Sequence, residues 1–297
     1  VNFENIACPG CGSSDHQPFL EVRDRFEVLP GRLFSIVRCA DCGLLFLNPR
    51  PDANSISAFY APERYDPFLS GKERRSLRDA AYRMVRFFTM RRKAARAAAG
   101  VTAGVRALDV GCATGELMVR LRNRGLEVFG VEPDAKAAEF ARRTCDLTVW
   151  TGGIEAVPDS AGRFDLITLW HVLEHVHDLR GTLARLRELL SQEGRLVIAA
   201  PNPLSGDARA YGAEWVAWDA PRHLYHFEPD VLLSLLRDCG FRAERKGAVA
   251  FDAFYHCLLS ERTAVGYLRA VTRGTASWLR GVCGGEGSSE LYWAIKE

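Results

Sequence analysis

The stretch Leu108–Met118, LDVGCATGELM, constrains this chain more than any other. Val105–Val110 is apolar enough for a strand covered on both faces, Gly111 and Gly115 remove side chains where the backbone must turn, and Glu116–Leu121 resumes at helical spacing. Strand, glycine turn and helix in that order open a parallel α/β unit, and the turn lets a ligand approach the backbone closely. Asp109 stands at the carboxyl end of the strand, facing the same crevice. A carboxylate there suits a cationic or hydroxyl-bearing ligand better than a pyrophosphate. A strand with two glycines is a weak signal by itself, because glycines also make ordinary turns.

The pattern downstream strengthens it. Further strands are expected at Glu127–Glu132, Leu147–Trp150, Phe164–Trp170, Arg195–Ala200, Phe241–Phe251 and Leu291–Lys296. Helices are expected at Asp134–Arg143, Asp178–Leu190, Pro229–Cys239 and Tyr255–Leu279. The alternation is that of an α/β fold with a doubly wound sheet. Glu132 ends the second strand, some twenty residues past the glycine turn, where such folds reach the ribose hydroxyls of a nucleoside. The Asp109 carboxylate favours S-adenosylmethionine over NAD.

The runs LDVGCATG, VEP, GGIEAVPDSAGRFDLITLWHVLEHVHD and GRLVIAAPN resemble the class I S-adenosylmethionine-dependent methyltransferases, over roughly two thirds of the chain. The resemblance implies a Rossmann-like sheet with Asp109, Gly111 and Gly115 around the methionine part of the cofactor, and Cys112 and Ala113 inside the loop. It places Glu132 on the ribose, Pro133 and Ile154 beside the adenine, and Trp170 and His171 next to the methyl donor. S-adenosylhomocysteine is the implied product. Ala113 replaces a common glycine, and Gly153 stands where the family often has an acid for the adenine amino group, which leaves that contact to the Ile154 backbone or to Glu155. His171 is a candidate general base, its ordinary pKa suiting proton removal near neutrality, or else it only shapes the pocket. His171, Glu174 and His175 also spell HxxEH, a zinc-protease pattern. That reading is set aside because the motif comes after a buried strand in a methyltransferase-like order and no third ligand is marked.

A second cluster, WVAWDAPRHLYHF at Trp215–Phe227, lies between the fifth strand and the next helix. Trp215 and Trp218 offer flat apolar surface, Arg222 an anion fork, and His223, Tyr225 and His226 polar groups, a mixture suited to a ring bearing hydroxyls or phosphate. His223 is the second candidate for taking a proton. The competing reading is a structural loop of packed aromatics and satisfied imidazoles, and the residues alone leave both open.

The first fifty residues carry CPGCG at Cys8–Gly12 and CADCG at Cys39–Gly43. Two residues between thiolates and a following glycine let Cys8, Cys11, Cys39 and Cys42 reach one tetrahedral ion, so the segment resembles a zinc ribbon holding structural Zn2+. The other five cysteines are scattered, which argues for metal and buried thiols rather than a disulfide framework. The expected layout is a ribbon over 1–50, a helical linker or cap over 51–100 and the methyltransferase domain over 101–297, with a substrate-loop insertion near 203–228 and a helical insertion near 255–280.

The formal net charge of +2 excludes little, but Ser70–Gly100 holds ten Lys or Arg against two acids. A long helix over Ser70–Ala99 would carry a basic face, which reads either as an ordinary solvated face or as one that attracts a phosphate-bearing acceptor. The function expected is methyl transfer to a small molecule, namely a sugar, a sugar nucleotide or a natural-product intermediate, in line with bacterial methyltransferases of sugar and natural-product modification that the chain resembles. One alternative is an RNA methyltransferase gripping its substrate with the ribbon and the basic helix, although the ribbon carries few basic residues. Another is a non-catalytic cofactor-binding scaffold. No apolar run is long enough for a membrane span and no signal-peptide pattern is present, so no membrane partner and a cytoplasmic location are expected. The apolar 255–280 helix is the expected seat of a partner subunit.

Overall fold

The structure, a computed structural model, describes residues 1–60, 89–249, 251–261 and 263–297. The N-terminal strands are β1 (Phe3–Glu4), β2 (His16–Arg23), β3 (Leu33–Cys39), β4 (Leu45–Leu47) and β5 (Arg50–Pro51). Helix α1 covers 89–97. Next come β6 (Arg106–Val110), α2 (Glu116–Arg122), β7 (Glu127–Glu132), α3 (Ala135–Cys145), β8 (Thr148–Thr151), β9 (Phe164–Trp170), α4 (Leu179–Leu189) and β10 (Leu190–Pro201). The chain then forms α5 (Gly206–Tyr211), β11 (Tyr225–His226), α6 (Pro229–Asp238), β12 (Phe241–Ala248), α7 (Asp252–Ser260), α8 (Ala264–Val282) and β13 (Ser289–Lys296).

Seven strands form one mostly parallel sheet in the order β12-β13-β10-β9-β6-β7-β8, the doubly wound α/β arrangement expected. By contacts the chain divides into two compact units, neither continuous in sequence. One comprises Pro62–Trp170, Thr182–Val197 and Ala294–Glu297; the other comprises Val1–Ala61, His171–Gly181 and Ile198–Trp293.

In the first of these, β6 lies between β7 and β9 and runs parallel to both, with Asp109 opposite Gly130 on one side and Thr168 on the other. Leu108, Leu166, Ile167 and Leu169 are fully buried, as a strand covered on both faces requires. Helix α3 starts where the Asp134 carboxylate accepts from the Ala137 amide at 2.7 Å, satisfying a donor that the first turn leaves open. Leu147 and Val149 close the core against Ala138, Ala141, Met118 and Cys112.

In the second unit, β2, β3 and β4 form an antiparallel sheet to which β11 adds an edge strand, Tyr225 facing Phe46 and His226 facing Leu45. The WVAWDAPRHLYHF cluster therefore completes the N-terminal sheet. Arg222, read from the sequence as an anion fork, is fully buried. Its guanidinium donates to Asp24 at 2.8 Å, to both oxygens of Asp219 at 2.7 and 3.0 Å, and to the Phe59 carbonyl at 3.1 Å. Trp215 and Trp218 are buried too, donating to Asp207 at 2.9 Å and to the Gly212 carbonyl at 2.8 Å. Asp207 also accepts from Ser277 and Ser288, both at 2.6 Å, which ties α5 to α8.

Two expected elements differ. The strand expected over Phe241–Phe251 stops at Ala248, because Phe251 is left-handed (φ 74°) and Asp252 begins α7. The single helix expected over Tyr255–Leu279 is two, with the Thr263 hydroxyl capping α8 by accepting from the Gly266 amide at 3.1 Å. Of the helix expected over Ser70–Ala99 only α1 belongs to the described residues; the stretch from 70 to 88 lies outside them. Among the described residues no helix is long and apolar enough to cross a membrane.

Candidate active site

The glycine loop after β6 is fixed by hydrogen bonds that the sequence only hints at. The amides of Gly111 and Cys112 donate to the Val131 carbonyl at 2.8 and 3.2 Å. The Ala113 amide donates to one Glu132 oxygen at 2.8 Å, while the other accepts from the Asp134 amide at 2.9 Å. Glu132 thus latches the loop to the end of β7, and each of its oxygens keeps a lone pair for a further donor. Burial raises its pKa, opposed by those two amides. Gly115 is left-handed (φ +81°), and a Cβ there would stand 2.4 Å from Leu147 Cδ1, so backbone conformation and packing both require glycine. Gly130 carries no such mark in the sequence, yet a Cβ on it would come within 2.7 Å of the sulfurs of Cys112 and Met118. The Cys112 thiol accordingly packs into the core, and burial pushes its pKa up.

Asp109 is 5% exposed and accepts from the Thr168 hydroxyl at 2.6 Å, across the β6–β9 pairing. Burial pushes its pKa up to about 7, against the pull of the Thr168 bond and the Lys93 charge and with some help from Glu132. Lys93, on α1, also lies 4.9 Å over the ring of Trp170 at the end of β9. Sequence reasoning misses both Lys93 and Thr168, although Thr168 has a signal, being a polar residue in the apolar run FDLITLW. Pro133 is exposed, Ile154 is buried at the start of a short 3-10 turn, and the Glu155 carboxylate folds back to accept from the Gly153 amide at 3.1 Å.

The chain passes directly from Trp170 to His171, which belongs to the other unit and is left-handed (φ 56°). Non-glycine residues held this way store strain and cluster at functional sites. His171 Nε2 lies 2.9 Å from Asp252 Oδ2, and its Nδ1 lies 3.6 Å from Glu174 Oε1. Asp252, at the start of α7, escapes sequence reasoning because nothing in its local sequence links it to His171. Beside Glu174 lie His175 and His223, whose ring centroids are 4.6 Å apart. His223 is 8% exposed and bonded through Nδ1 to the Ala217 carbonyl at 2.8 Å; burial, then the nearby His175, lower its pKa to about 4. His226 is buried against the Trp218 ring, 4.9 Å between centroids, and burial lowers it to about 3.

The four ribbon cysteines converge. Cys8 and Cys42 sulfurs are 3.5 Å apart, those of Cys11 and Cys39 are 3.6 Å apart, and all four lie within 4.8 Å of one another. A tetrahedral zinc with bonds near 2.3 Å spaces its sulfurs by about 3.8 Å, so the set fits the ion. Cys39 is held down to about 7, its burial outweighed by the Cys42 and Asp41 amides, whereas burial pushes Cys42 up to about 11.

The family model described as a methyltransferase domain matches residues 70–246. The chain is 34% identical over 187 residues to a ubiquinone biosynthesis O-methyltransferase of Cereibacter sphaeroides, covering 58% of this chain and 75% of that protein. It is 29% identical over 179 residues to the protein of the same description from Xanthomonas axonopodis, covering 56% and 75%. Among solved structures, the magnesium protoporphyrin IX methyltransferase of Synechocystis with bound SAH aligns with a TM-score of 0.55 at 15% identity, over 83% of this chain and 100% of that one, a likeness of fold. With more than half of its length matched by one domain model, the chain belongs to the class I S-adenosylmethionine-dependent methyltransferases.

Proposed function

We propose that this methyltransferase modifies a hydroxyl oxygen of a small molecule, of the sugar, sugar-nucleotide or natural-product class, with His171 as general base. The observation that carries the reading is the His171–Asp252 pair at 2.9 Å, immediately after the strand that ends in Trp170. Its relatives named as O-methyltransferases agree with an oxygen acceptor.

In this reading Asp109, Gly111, Cys112 and Gly115 hold the methionine part of the cofactor, Cys112 through its backbone. Glu132 takes the ribose hydroxyls, Pro133 and Ile154 flank the adenine, and Trp170 borders the methyl donor. When bound, the cofactor supplies an electrophilic methyl group and leaves as S-adenosylhomocysteine. The acceptor oxygen forms the new bond to carbon as its proton passes to His171. Asp252 orients the imidazole and stabilises its charged form. His223, the other candidate base, is less exposed and its Nδ1 is held by a carbonyl, so His171 is preferred. The cysteine set holds a structural zinc ion, with four protein ligands and no open position.

The test is product formation. Purified protein with S-adenosylmethionine is offered a panel of sugar nucleotides, phenols and bulk RNA, and S-adenosylhomocysteine is quantified. Methylation at a hydroxyl that falls at least tenfold in His171→Asn supports the proposal. Transfer to RNA alone, or full activity in His171→Asn, sinks it.

A further inference from the structure

We infer that Glu174, His175 and His223 form a binding site for a divalent cation of the zinc class, distinct from the cysteine set. One ligand atom from each of these residues lies within 4.8 Å of the others. Glu174 and His175 come from the short 3-10 turn Leu173–His175, and His223 from the loop before β11. His223 joins two members of the HxxEH pattern, Glu174 and His175, while the pattern's other histidine, His171, faces Asp252.

The donors around these groups do not suffice. His175 Nδ1 lies 3.0 Å from the Arg222 carbonyl and His223 Nδ1 lies 2.8 Å from the Ala217 carbonyl. A carbonyl oxygen only accepts, so both Nδ1 atoms carry the proton, and a neutral imidazole then presents a bare lone pair at Nε2. The Tyr60 hydroxyl, 2.9 Å from the same His175 Nδ1, accepts a share of that proton and leaves Nε2 untouched. Glu174 is 1% exposed, and neither of its oxygens has a hydrogen-bond partner among the described residues. His171 Nδ1 stands 3.6 Å from Glu174 Oε1, an ion-pair distance rather than a well-formed hydrogen bond, while its Nε2 faces Asp252. One ring nitrogen of each imidazole and a carboxylate oxygen therefore converge, with His171 Nδ1 as the charge partner within reach of the carboxylate. A buried ionised carboxylate whose two oxygens meet a single long ion pair is left under-compensated, at a cost on the order of several kcal/mol. A divalent cation satisfies all three groups at once.

The surroundings match what such sites need. A ligating histidine usually gives its other N–H to a carbonyl or carboxylate, which fixes the tautomer and the ring orientation, and both rings here do so. Two nitrogens and one carboxylate oxygen suit zinc, cobalt, iron or manganese better than magnesium or calcium. At metal–nitrogen distances near 2.1 Å the ligand atoms of a tetrahedral site stand about 3.4 Å apart, within reach of small side-chain rotations from their present spacing. His175 is only half-buried, which leaves a fourth position open to an exogenous oxygen. Glu174 acts as a ligand here, so the arrangement differs from a protease, in which the HxxEH glutamate stays free as a base.

The test is metal content of the full-length protein, purified with zinc present and desalted. Two zinc ions per chain are expected in the wild type, one in Glu174→Gln and in His223→Gln, and one in Cys39→Ser. A wild type holding a single ion that only Cys39→Ser removes, or variants at positions 174 and 223 that keep the wild-type content, overturns the inference. Loss of the ion in Glu174→Gln but not in Cys39→Ser refutes the ribbon zinc instead and leaves this site standing. If the variants fail to fold, Co2+ titration of the wild type decides. A second equivalent with ligand-field bands but no added sulfur-to-metal charge transfer is expected, and saturation at one equivalent overturns the proposal.

Discussion

If Asp109 holds the cofactor as proposed, its buried carboxylate should make cofactor affinity a function of pH. With its pKa pushed up to about 7, roughly one ligand-free molecule in eleven carries the charged carboxylate at pH 6 and about ten in eleven at pH 8. A cationic ligand favours the ionised form, so binding at pH 6 must release a proton that binding at pH 8 does not. The apparent affinity scales with the competent fraction, so Kd is expected to weaken about tenfold from pH 8 to pH 6, a loss of about 1.4 kcal/mol. The sign is fixed: affinity rises with pH through 7 and levels off above 8. Isothermal titration with S-adenosylmethionine at pH 6, 7 and 8, in buffers of different ionisation enthalpy, measures both Kd and the proton count. That count is expected near one at pH 6 and near zero at pH 8. In Asp109→Asn the affinity drops and the slope attributable to this residue disappears, which separates it from the ligand's own amino group. A wild-type affinity flat from pH 6 to pH 8, or an unchanged slope in Asp109→Asn, refutes the reasoning.

The geometry sets three further outcomes. Gly115→Ala forces a left-handed Cβ 2.4 Å from Leu147, and about 1 kcal/mol of conformational penalty with about 1–3 kcal/mol of overpacking should appear as a lower midpoint in chemical denaturation; an unmoved midpoint contradicts the packing described. Glu132→Ala removes the acceptor of the Ala113 and Asp134 amides, so cofactor affinity should fall at least tenfold and the Ala113 amide should exchange faster with solvent, while Glu132→Gln, which keeps one acceptor oxygen, falls between; wild-type binding in Glu132→Ala takes this residue out of the site. Asp252→Asn withdraws the charge facing His171, so kcat should drop by about 10–100-fold and the acidic limb of its pH profile should move to lower pH; a profile that keeps its position separates Asp252 from the base.

The parts of the molecule legible in the sequence are those set by backbone geometry and periodicity. Asp109, Gly115 and Glu132 can be placed because a buried strand, a left-handed glycine and a strand terminus each leave a mark in the order of residues. The second cluster cannot be read the same way. Arg222 has the chemistry of an anion fork, and only the approach of Asp24, far away in the chain, and of Asp219 turns it into a buried structural node. Trp215 and Trp218 suggest a ring-binding surface until their indole N–H groups are seen to be taken by Asp207 and Gly212. Asp252 and His223 acquire meaning only from long-range partners, His171 in one case and Glu174 with His175 in the other. Residue type announces what a side chain can do; burial decides whether it is free to do it.

The edge strand β11 has a consequence for synthesis. Phe46 finds its strand partner Tyr225 only about 180 residues later, so at about 5–20 residues per second the ribosome leaves that edge bare for roughly 10–40 s. An unpaired edge of this kind is a template for association between chains. During that interval Leu45, Phe46 and Leu47, fully buried in the finished protein, stand on an edge open to other chains, where a chaperone or early metal loading nearby would protect them.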